Sequence, residues 1–445
     1  MLTYKVSPSS VYGGAVIPSS KSHTLRAILW ASVAEGKSVI YNYLDSPDTA
    51  AMIYACRQMG ASIKKLPEAL EIVGNPLAKF PKHTLIDAGS SGIILRFMTA
   101  LASVFSEEVT ITGSLQLQRR PMTPLIQALT NFGASFQFSS EKSTLPFTLS
   151  GPLRSAYSHV DGSDSQFASA LAIACSLGEG PSSFTVIDPK ERPWFDLSLW
   201  WLEKLNLPYS CSDTTYSFPG SSRPQCFSYH VTGDFSSAAF IAAAALLSKT
   251  PDPIRLLNLD ILDVQGDKIF FSLMQGLGAS IEYDNEEIIV FPSSFSGGSI
   301  DMDACIDALP ILTVLCCFAN SPSHLYNAQS AKDKESDRIL AITEELQKMG
   351  ACIQPTHDGL LINPCPLYGA VLDSHNDHRI AMALTIAALY ASGDSCIHNT
   401  ACVRKTFPNF VQILNIMKTR IEERYENYSV WSTHKRKIFA GESFS

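Results

Sequence analysis

Seven cationic residues of this 445-residue chain stand at helix starts or tight turns, where side chain and backbone could grip the same anion. Lys21 and Arg26 flank the helix start Ser19-Ser-Lys-Ser-His23, and Arg120 stands in the turn Gln118-Arg-Arg-Pro121. Lys334 and Arg338 share the segment Lys332-Asp-Lys-Glu-Ser-Asp-Arg338, Arg379 follows Asp377-His378, and Lys405 lies in Val403-Arg-Lys-Thr-Phe-Pro408. Arginine presents a planar fork of donors to phosphate or carboxylate, whereas lysine supplies a movable point charge. Two acids accompany them. Asp307, in the largely apolar run Ala304 to Phe318, is either a helix cap or a general base. Glu335, next to Lys334, either pairs with Arg338 or moves a proton.

The elements that position these residues repeat. A helix end of the form L-x-x-h-G-A-x-h recurs at Cys56–Ile63, Leu129–Phe136, Met274–Ile281 and Leu346–Ile353, with a weaker copy at Leu202–Tyr209. Its glycine (asparagine in the weak copy) falls at 60, 133, 206, 278 and 350, at intervals of 73, 73, 72 and 72. Such a residue suits the left-handed position that ends a helix, and the apolar residue three places later begins a strand. A second series, anchored on Ser20, Ser91, Asp164, Ser236, Asp307 and Asp377, marks helix starts at intervals of 71, 73, 72, 71 and 70. Small apolar residues follow, as in Phe167 to Leu177, Ala238 to Leu247 and Ile380 to Leu389. Stretches such as Lys37 to Tyr41, Glu108 to Thr112, Ser183 to Ile187, Ile254 to Leu257 and Glu287 to Phe291 read as strands. The pattern predicts six α/β units of about 72 residues, each ordered βαβαββ. If the units are pseudo-symmetric, several helix N-termini face one cleft, where unpaired N–H groups attract phosphate or carboxylate.

Composition narrows the partners. A formal net charge of −8 argues against nucleic acid or an anionic membrane as the main partner. Eleven scattered cysteines form no C-x-x-C pair and suit neither a disulfide framework nor a zinc site, which predicts a reducing, cytoplasmic setting. The most apolar runs are too short to span a bilayer.

Read in order, the segments Pro18–Arg26, Asp87–Gly92, Arg120-Pro-Met, Ser165–Phe167, Gly233–Ser237, Ile306–Pro310, Lys334–Arg338, Asn376–Arg379 and Lys405–Pro408 resemble those of the EPSP synthase family of enolpyruvyl transferases, along the whole repeat region. The resemblance implies a two-lobed inside-out α/β barrel with three repeats per lobe. Residues 1–19 with 232–420 would form one lobe and 20–231 the other; six units of about 72 residues leave 421–445 as a C-terminal tail, either an interaction tail or a frayed extension. It implies transfer of the enolpyruvyl group of phosphoenolpyruvate to the 5-hydroxyl of shikimate 3-phosphate, by a monomer, without metal or organic cofactor. Shikimate 3-phosphate would be held by Lys21, Ser22, Arg26, Ser165, Gln166, Asp307 and Lys334, and phosphoenolpyruvate by Lys21, Gly92, Arg120, Gln166, Arg338, Arg379 and Lys405. Asp307 would be the base toward the hydroxyl and Glu335 the proton donor to the methylene, with Lys21 assisting.

The chain departs from the family pattern at Ser90, Ile93, Asp164, Glu191, Trp194 and Ser330. Ile93 bears on discrimination against glyphosate, a competitor of phosphoenolpyruvate. Asp164 and Glu191 add negative charge beside the implied acceptor site, with Arg192 or Arg154 as expected partners. Two rivals remain. A UDP-N-acetylglucosamine enolpyruvyl transferase would usually carry a cysteine in the loop equivalent to Ser114–Met122, which has none, and a non-catalytic scaffold would not explain charges at the helix starts.

Overall fold

The structure, a computed structural model, describes residues 1–76, 81, 83–105, 107–139, 145–284 and 287–425. Its strands form six four-stranded sheets. In the unit with the simplest connectivity, Thr84–Asp87, the helix Gly92–Ser103, Val109–Thr112, the helix Thr123–Asn131, Ser135–Phe138 and Phe147–Ser150 follow one another in the expected βαβαββ order. The first two strands pair in parallel across their helical crossover, and the others add antiparallel. Every glycine of the helix-end series has positive φ, from 91° at Gly60 to 102° at Gly133, and Asn206 joins them at 53°. That is the left-handed stop that the spacing predicts.

One helix per unit is buried on nearly all sides. In Gly92–Ser103 all twelve residues are buried, and in Phe235–Leu247 all but Leu247. A helix without a polar face must lie inside a layer of others, and the alanine run Ala242–Ala245 lets backbones approach closely. The buried apolar residues fall into two clusters. One gathers Leu2 to Ile17 with Phe235 to Ile421, and the other gathers Leu25 to Val231.

Both clusters borrow strands across the sequence. Gly14–Val16 pairs in parallel with Ile254–Leu257, whereas Ser228–His230 pairs in parallel with Lys37–Tyr41. The chain therefore crosses between the clusters twice, and the crossings lie side by side. Ser20 N–H donates to Thr232 O at 2.8 Å and Asp234 N–H to Pro18 O at 2.8 Å. Residues 421–425, expected in the tail, instead complete the strand Arg420–Tyr425, paired with Leu2–Ser7 from Leu2 opposite Tyr425 to Ser7 opposite Arg420. The alternation Arg420-Ile-Glu-Glu seats Ile421 in the core and turns its neighbours to solvent, which is enough to dock this edge strand. The rest of the expected tail, with Lys435-Arg-Lys, lies outside the described residues.

A buried polar cluster locks the crossing. Asp263 accepts from Thr232 Oγ1 at 2.7 Å, from Gln265 Nε2 at 2.9 Å, and pairs with His23 Nε2 at 3.1 Å, while Trp201 Nε1 donates to His23 Nδ1 at 3.1 Å. Burial opposes the carboxylate, but hydrogen bonds from His23, Gln265 and Thr232 outweigh it and hold the carboxyl down to about 2. A pKa depressed on folding stabilises above the unfolded value and is lost as pH falls through the folded one. Asp263→Asn should therefore cost roughly 2 kcal/mol at neutral pH, and that gap should close between about pH 4 and pH 2. Denaturant unfolding of both proteins across that range measures it, and a gap independent of pH would count against the assignment.

Candidate active site

All six helix starts meet at one cleft. Lys21 and Ser22, Ser91 to Ile93, Ser165 and Gln166, Asp234, Ile306 and Asp307, and His378 and Arg379 line it, joined by Arg26, Arg120, Glu191, Trp194, Lys334, Glu335 and Arg338. Every site residue expected from the sequence lines the cleft except Lys405, which stands beside it and donates from Nζ to Ser90 O at 3.3 Å.

The helix starts differ in detail from expectation. Ser20, Asp164 and Asp377 cap their helices through side-chain oxygens, but Ser91 makes no such bond, and in the fourth unit the cap is Asp234 rather than Ser236. Asp307 caps nothing. It lies in the short 3-10 turn Asp303–Ala308 before the helix Leu309–Cys317, and its carboxylate bridges two guanidinium groups, Arg338 Nη1 at 2.6 Å and Arg379 Nη2 at 2.7 Å. Glu335 precedes its helix, which starts at Arg338, and pairs with Arg338 Nη2 at 2.8 Å and, more loosely, with Arg120 Nη1 at 3.8 Å. Arg338, wholly buried, also donates through Nε to Asp377 at 2.8 Å.

The cleft is not simply positive. Lysine and arginine contribute six of its lining residues and carboxylates five: Asp48, Glu191, Asp234, Asp307 and Glu335. Cations and acids hold one another, so an incoming anion exchanges partners rather than filling an open positive hole. Burial opposes the charge on Asp307 and Glu335, yet Arg379 and Arg338 outweigh it at the first, and Arg120 and Arg338 at the second. Both carboxyls are held well below their usual range. Arg26 differs: its donors go to Ser198 Oγ, Ser22 O and Trp194 O, and burial alone lowers it to about 9. A buried guanidinium satisfied only by neutral oxygens and facing a cleft is suited to a ligand's negative group.

The acids that depart from the family pattern find partners the sequence did not suggest. Asp164 pairs with Arg96 Nη2 at 3.0 Å, and Glu191 with Lys334 Nζ at 2.5 Å. Arg192 turns instead to Asp196 at 2.6 Å. Sequence reasoning missed Arg96, although one arginine in the apolar helix Gly92–Ser103 was a readable signal. Arg96 also donates from Nη1 to Gln166 Oε1 at 2.9 Å, so it positions an expected binding residue. Asp48, 3.7 Å from Lys21 Nζ, and His378 were missed as well.

Gly92 sits where this network is tightest. A Cβ there would lie 2.6 Å from Arg120 Nη1 and 2.7 Å from Arg96 Nη1, so the guanidinium ends must move while the backbone stays. If Arg120 grips phosphoenolpyruvate as the family resemblance implies, Gly92→Ala is expected to fold normally and to raise the KM for that substrate roughly tenfold to a hundredfold through displaced Arg120. Steady-state kinetics decide the point, and an unchanged KM would refute it. Ile93, 9% exposed, lines the cleft next to this glycine.

Among the described residues two groups present metal-type ligands close together: Glu335 with Asp377 and His378, and Glu344 with Glu345 and His375. Arg338 binds both carboxylates of the first, and Lys348 and His375 bind Glu345 of the second, so these donors already serve cations of the protein.

Helix starts surrounding an arginine-rich, acid-containing cleft suit an enzyme of small anionic substrates. A family model described as EPSP synthase (3-phosphoshikimate 1-carboxyvinyltransferase) matches residues 6–414. The chain is 87% identical over 444 residues to the 3-phosphoshikimate 1-carboxyvinyltransferase of Chlamydia pneumoniae and 64% identical over 444 residues to that of Chlamydia felis, with 100% of each chain covered. Among solved structures it is similar to EPSP synthase from Acinetobacter baumannii, at a TM-score of 0.81 and 25% identity, covering 96% of this chain and 100% of that one. The fold is also shared by the enolpyruvyl transferase NikO from Streptomyces tendae, at a TM-score of 0.74 and 16% identity, over 96% and 99% of the two chains. The chain belongs to the EPSP synthase family, the 3-phosphoshikimate 1-carboxyvinyltransferases of the shikimate pathway. No helix among the described residues is long and apolar enough to cross a membrane.

Proposed function

We propose that this cleft transfers the enolpyruvyl group of phosphoenolpyruvate to the 5-hydroxyl of shikimate 3-phosphate, giving 5-enolpyruvylshikimate 3-phosphate and inorganic phosphate. The observation that carries the reading is the convergence of two partly buried carboxylates, Asp307 and Glu335, with Arg120, Arg338 and Arg379. Lys21, Ser22, Arg26, Ser165, Gln166, Asp307 and Lys334 hold the acceptor. Lys21, Gly92, Arg120, Gln166, Arg338, Arg379 and Lys405 hold phosphoenolpyruvate. The lobes, divided at 19/20 and 231/232, close on the substrates about the paired crossings.

In the first step the acceptor oxygen bonds to C2 of phosphoenolpyruvate, Asp307 takes the hydroxyl proton, and Glu335 gives a proton to the C3 methylene. In the second, C3 returns a proton to the Glu335 carboxylate, the double bond reforms, the C2–O bond to phosphate breaks, and the proton held by Asp307 leaves with the phosphate. The arginines and lysines take up the charge that gathers on the leaving phosphate.

Partner exchange explains how carboxyls held so low can do this work. Arg338 and Arg379 neutralise Asp307, and Arg120 and Arg338 neutralise Glu335, until substrate anions draw those guanidinium groups away. Burial, which raises each pKa, is then opposed mainly by Lys334 at Asp307 and by His378 and Lys405 at Glu335. Asp307 then becomes a stronger base, and Glu335 can carry a proton. Binding of phosphoenolpyruvate thus switches on both groups.

We place the enzyme in the cytoplasm as a monomer; eleven free cysteines, Cys56 and Cys175 among the buried ones, suit a reducing compartment. Phosphate release from phosphoenolpyruvate with shikimate 3-phosphate, compared with UDP-N-acetylglucosamine as acceptor, tests the reading. Release with the shikimate ester alone is expected. Release with the UDP-sugar, or with neither, would overturn it.

A further inference from the structure

Glu191 is held in the way a bound anion is held. Its carboxylate takes Lys334 Nζ at 2.5 Å and Ser165 Oγ at 3.3 Å, with the Ser330 hydroxyl close by. Lys334 and Ser165 are two of the residues assigned above to the acceptor. An ammonium and a hydroxyl on one carboxylate, with a second hydroxyl beside them, make a donor set suited to phosphate, already filled from within the protein.

The surroundings keep Glu191 in place. The residue is 2% exposed, its backbone is left-handed at φ 51°, and its N–H donates to Asp303 Oδ1 at 3.2 Å. Its charge is badly housed all the same. Burial raises its carboxyl above the usual range and Asp164 adds to this, with Lys334 opposing. Lys334 is in turn raised, because Glu191, Asp164 and Asp307 outweigh its burial. With Arg96 paired to Asp164 and Lys334 to Glu191, each of these two cations is already matched by an acid. A phosphate arriving at Lys334 competes with Glu191 for it. Room lies alongside, in a neighbouring cavity to which Asp164, Lys190 and Ser330 contribute.

We infer that Glu191 is a built-in competitor of the acceptor's phosphate, occupying Lys334 and Ser165 in the free enzyme and leaving them when the phosphomonoester binds. Glu191 thereby sets how much affinity the acceptor gains from its phosphate. The apparent affinity of a ligand falls by the fraction of protein in the competent state, so an internal occupant taxes the ligand that must displace it. The inference rests on the proposed acceptor, and its test separates the two.

Wild-type enzyme is assayed first for phosphate release from shikimate 3-phosphate and phosphoenolpyruvate; failure there removes the proposed function itself. Dissociation constants for shikimate 3-phosphate and for unphosphorylated shikimate are then measured by calorimetry on wild type, Glu191→Gln and Glu191→Asn. Glutamine keeps the volume and removes the charge, and asparagine tolerates the left-handed backbone, so one variant serves if the other folds poorly. The affinity ratio between the two acceptors should rise about tenfold in the neutral variants, because the phosphate no longer displaces a carboxylate. Glu191→Asp, which keeps the charge, should leave the ratio near that of wild type. A residue with only a structural role would shift both acceptors together. An unchanged or smaller ratio in a folded neutral variant overturns the inference.

Discussion

Asp307→Ala is expected to lower kcat by about a thousandfold while acceptor binding stays measurable, since a positioned general base contributes on the order of 10²–10⁴. The geometry adds a more selective expectation. In the free enzyme this carboxylate occupies Arg338 Nη1 and Arg379 Nη2, both assigned to phosphoenolpyruvate. Removing it frees those donors, so the KM for phosphoenolpyruvate should fall even as turnover collapses. The fold should survive, because Arg338 keeps Asp377 and Glu335. Steady-state kinetics on both substrates report the two effects together. Near-normal turnover would sink the base assignment, and a raised KM for phosphoenolpyruvate would sink partner exchange.

The second large effect is expected at Glu335. Glu335→Gln preserves the volume and the contact with Arg338 but cannot deliver a proton, and a loss of about a hundredfold or more in kcat should follow. An isotopic readout isolates the step. Run to partial conversion in deuterium oxide, wild type should place deuterium on the methylene carbon, and the variant should do so far more slowly. Exchange at the wild-type rate would assign proton delivery elsewhere, with Lys21 the next group to examine, its Nζ 3.7 Å from Asp48.

The sequence disclosed the architecture because the same local physics recurs in every unit. A left-handed helix stop favours glycine or asparagine, and a fivefold repeat of that need leaves a period that survives divergence elsewhere. Asn206, at φ 53°, stands in for glycine without disturbing the unit. The cleft was legible for the same reason, since the residues at helix starts were the ones that converged. Pairings across it were not. Lys334 and Glu191 are 143 positions apart, and His23 and Asp263 are 240 apart. No periodicity joins such residues; only the packing of one lobe against the other does. Asp307 shows the limit in a single residue, because its place in the repeat suggested a cap, whereas the turn Asp303–Ala308 holds it ahead of the helix start and beside two arginines. The strand Arg420–Tyr425 was missed because its alternation is short and its partner is the far end of the chain.

The shared strands have a consequence for synthesis on the ribosome. The core from Leu25 to Val231 is contiguous, and its last strand, Ser228–His230, completes it soon after emergence. The other core opens with Leu2–Ser7 and Gly14–Val16, whose partners are translated far later: Ile254–Leu257 for the second, and Ser395–His398 and Arg420–Tyr425 for the first. Both strands leave the exit tunnel with bare edges and wait while an entire lobe is made, the interval in which a nascent chain is most exposed to wrong pairing. The inserted lobe, folding first, becomes the body on which its host is afterwards assembled.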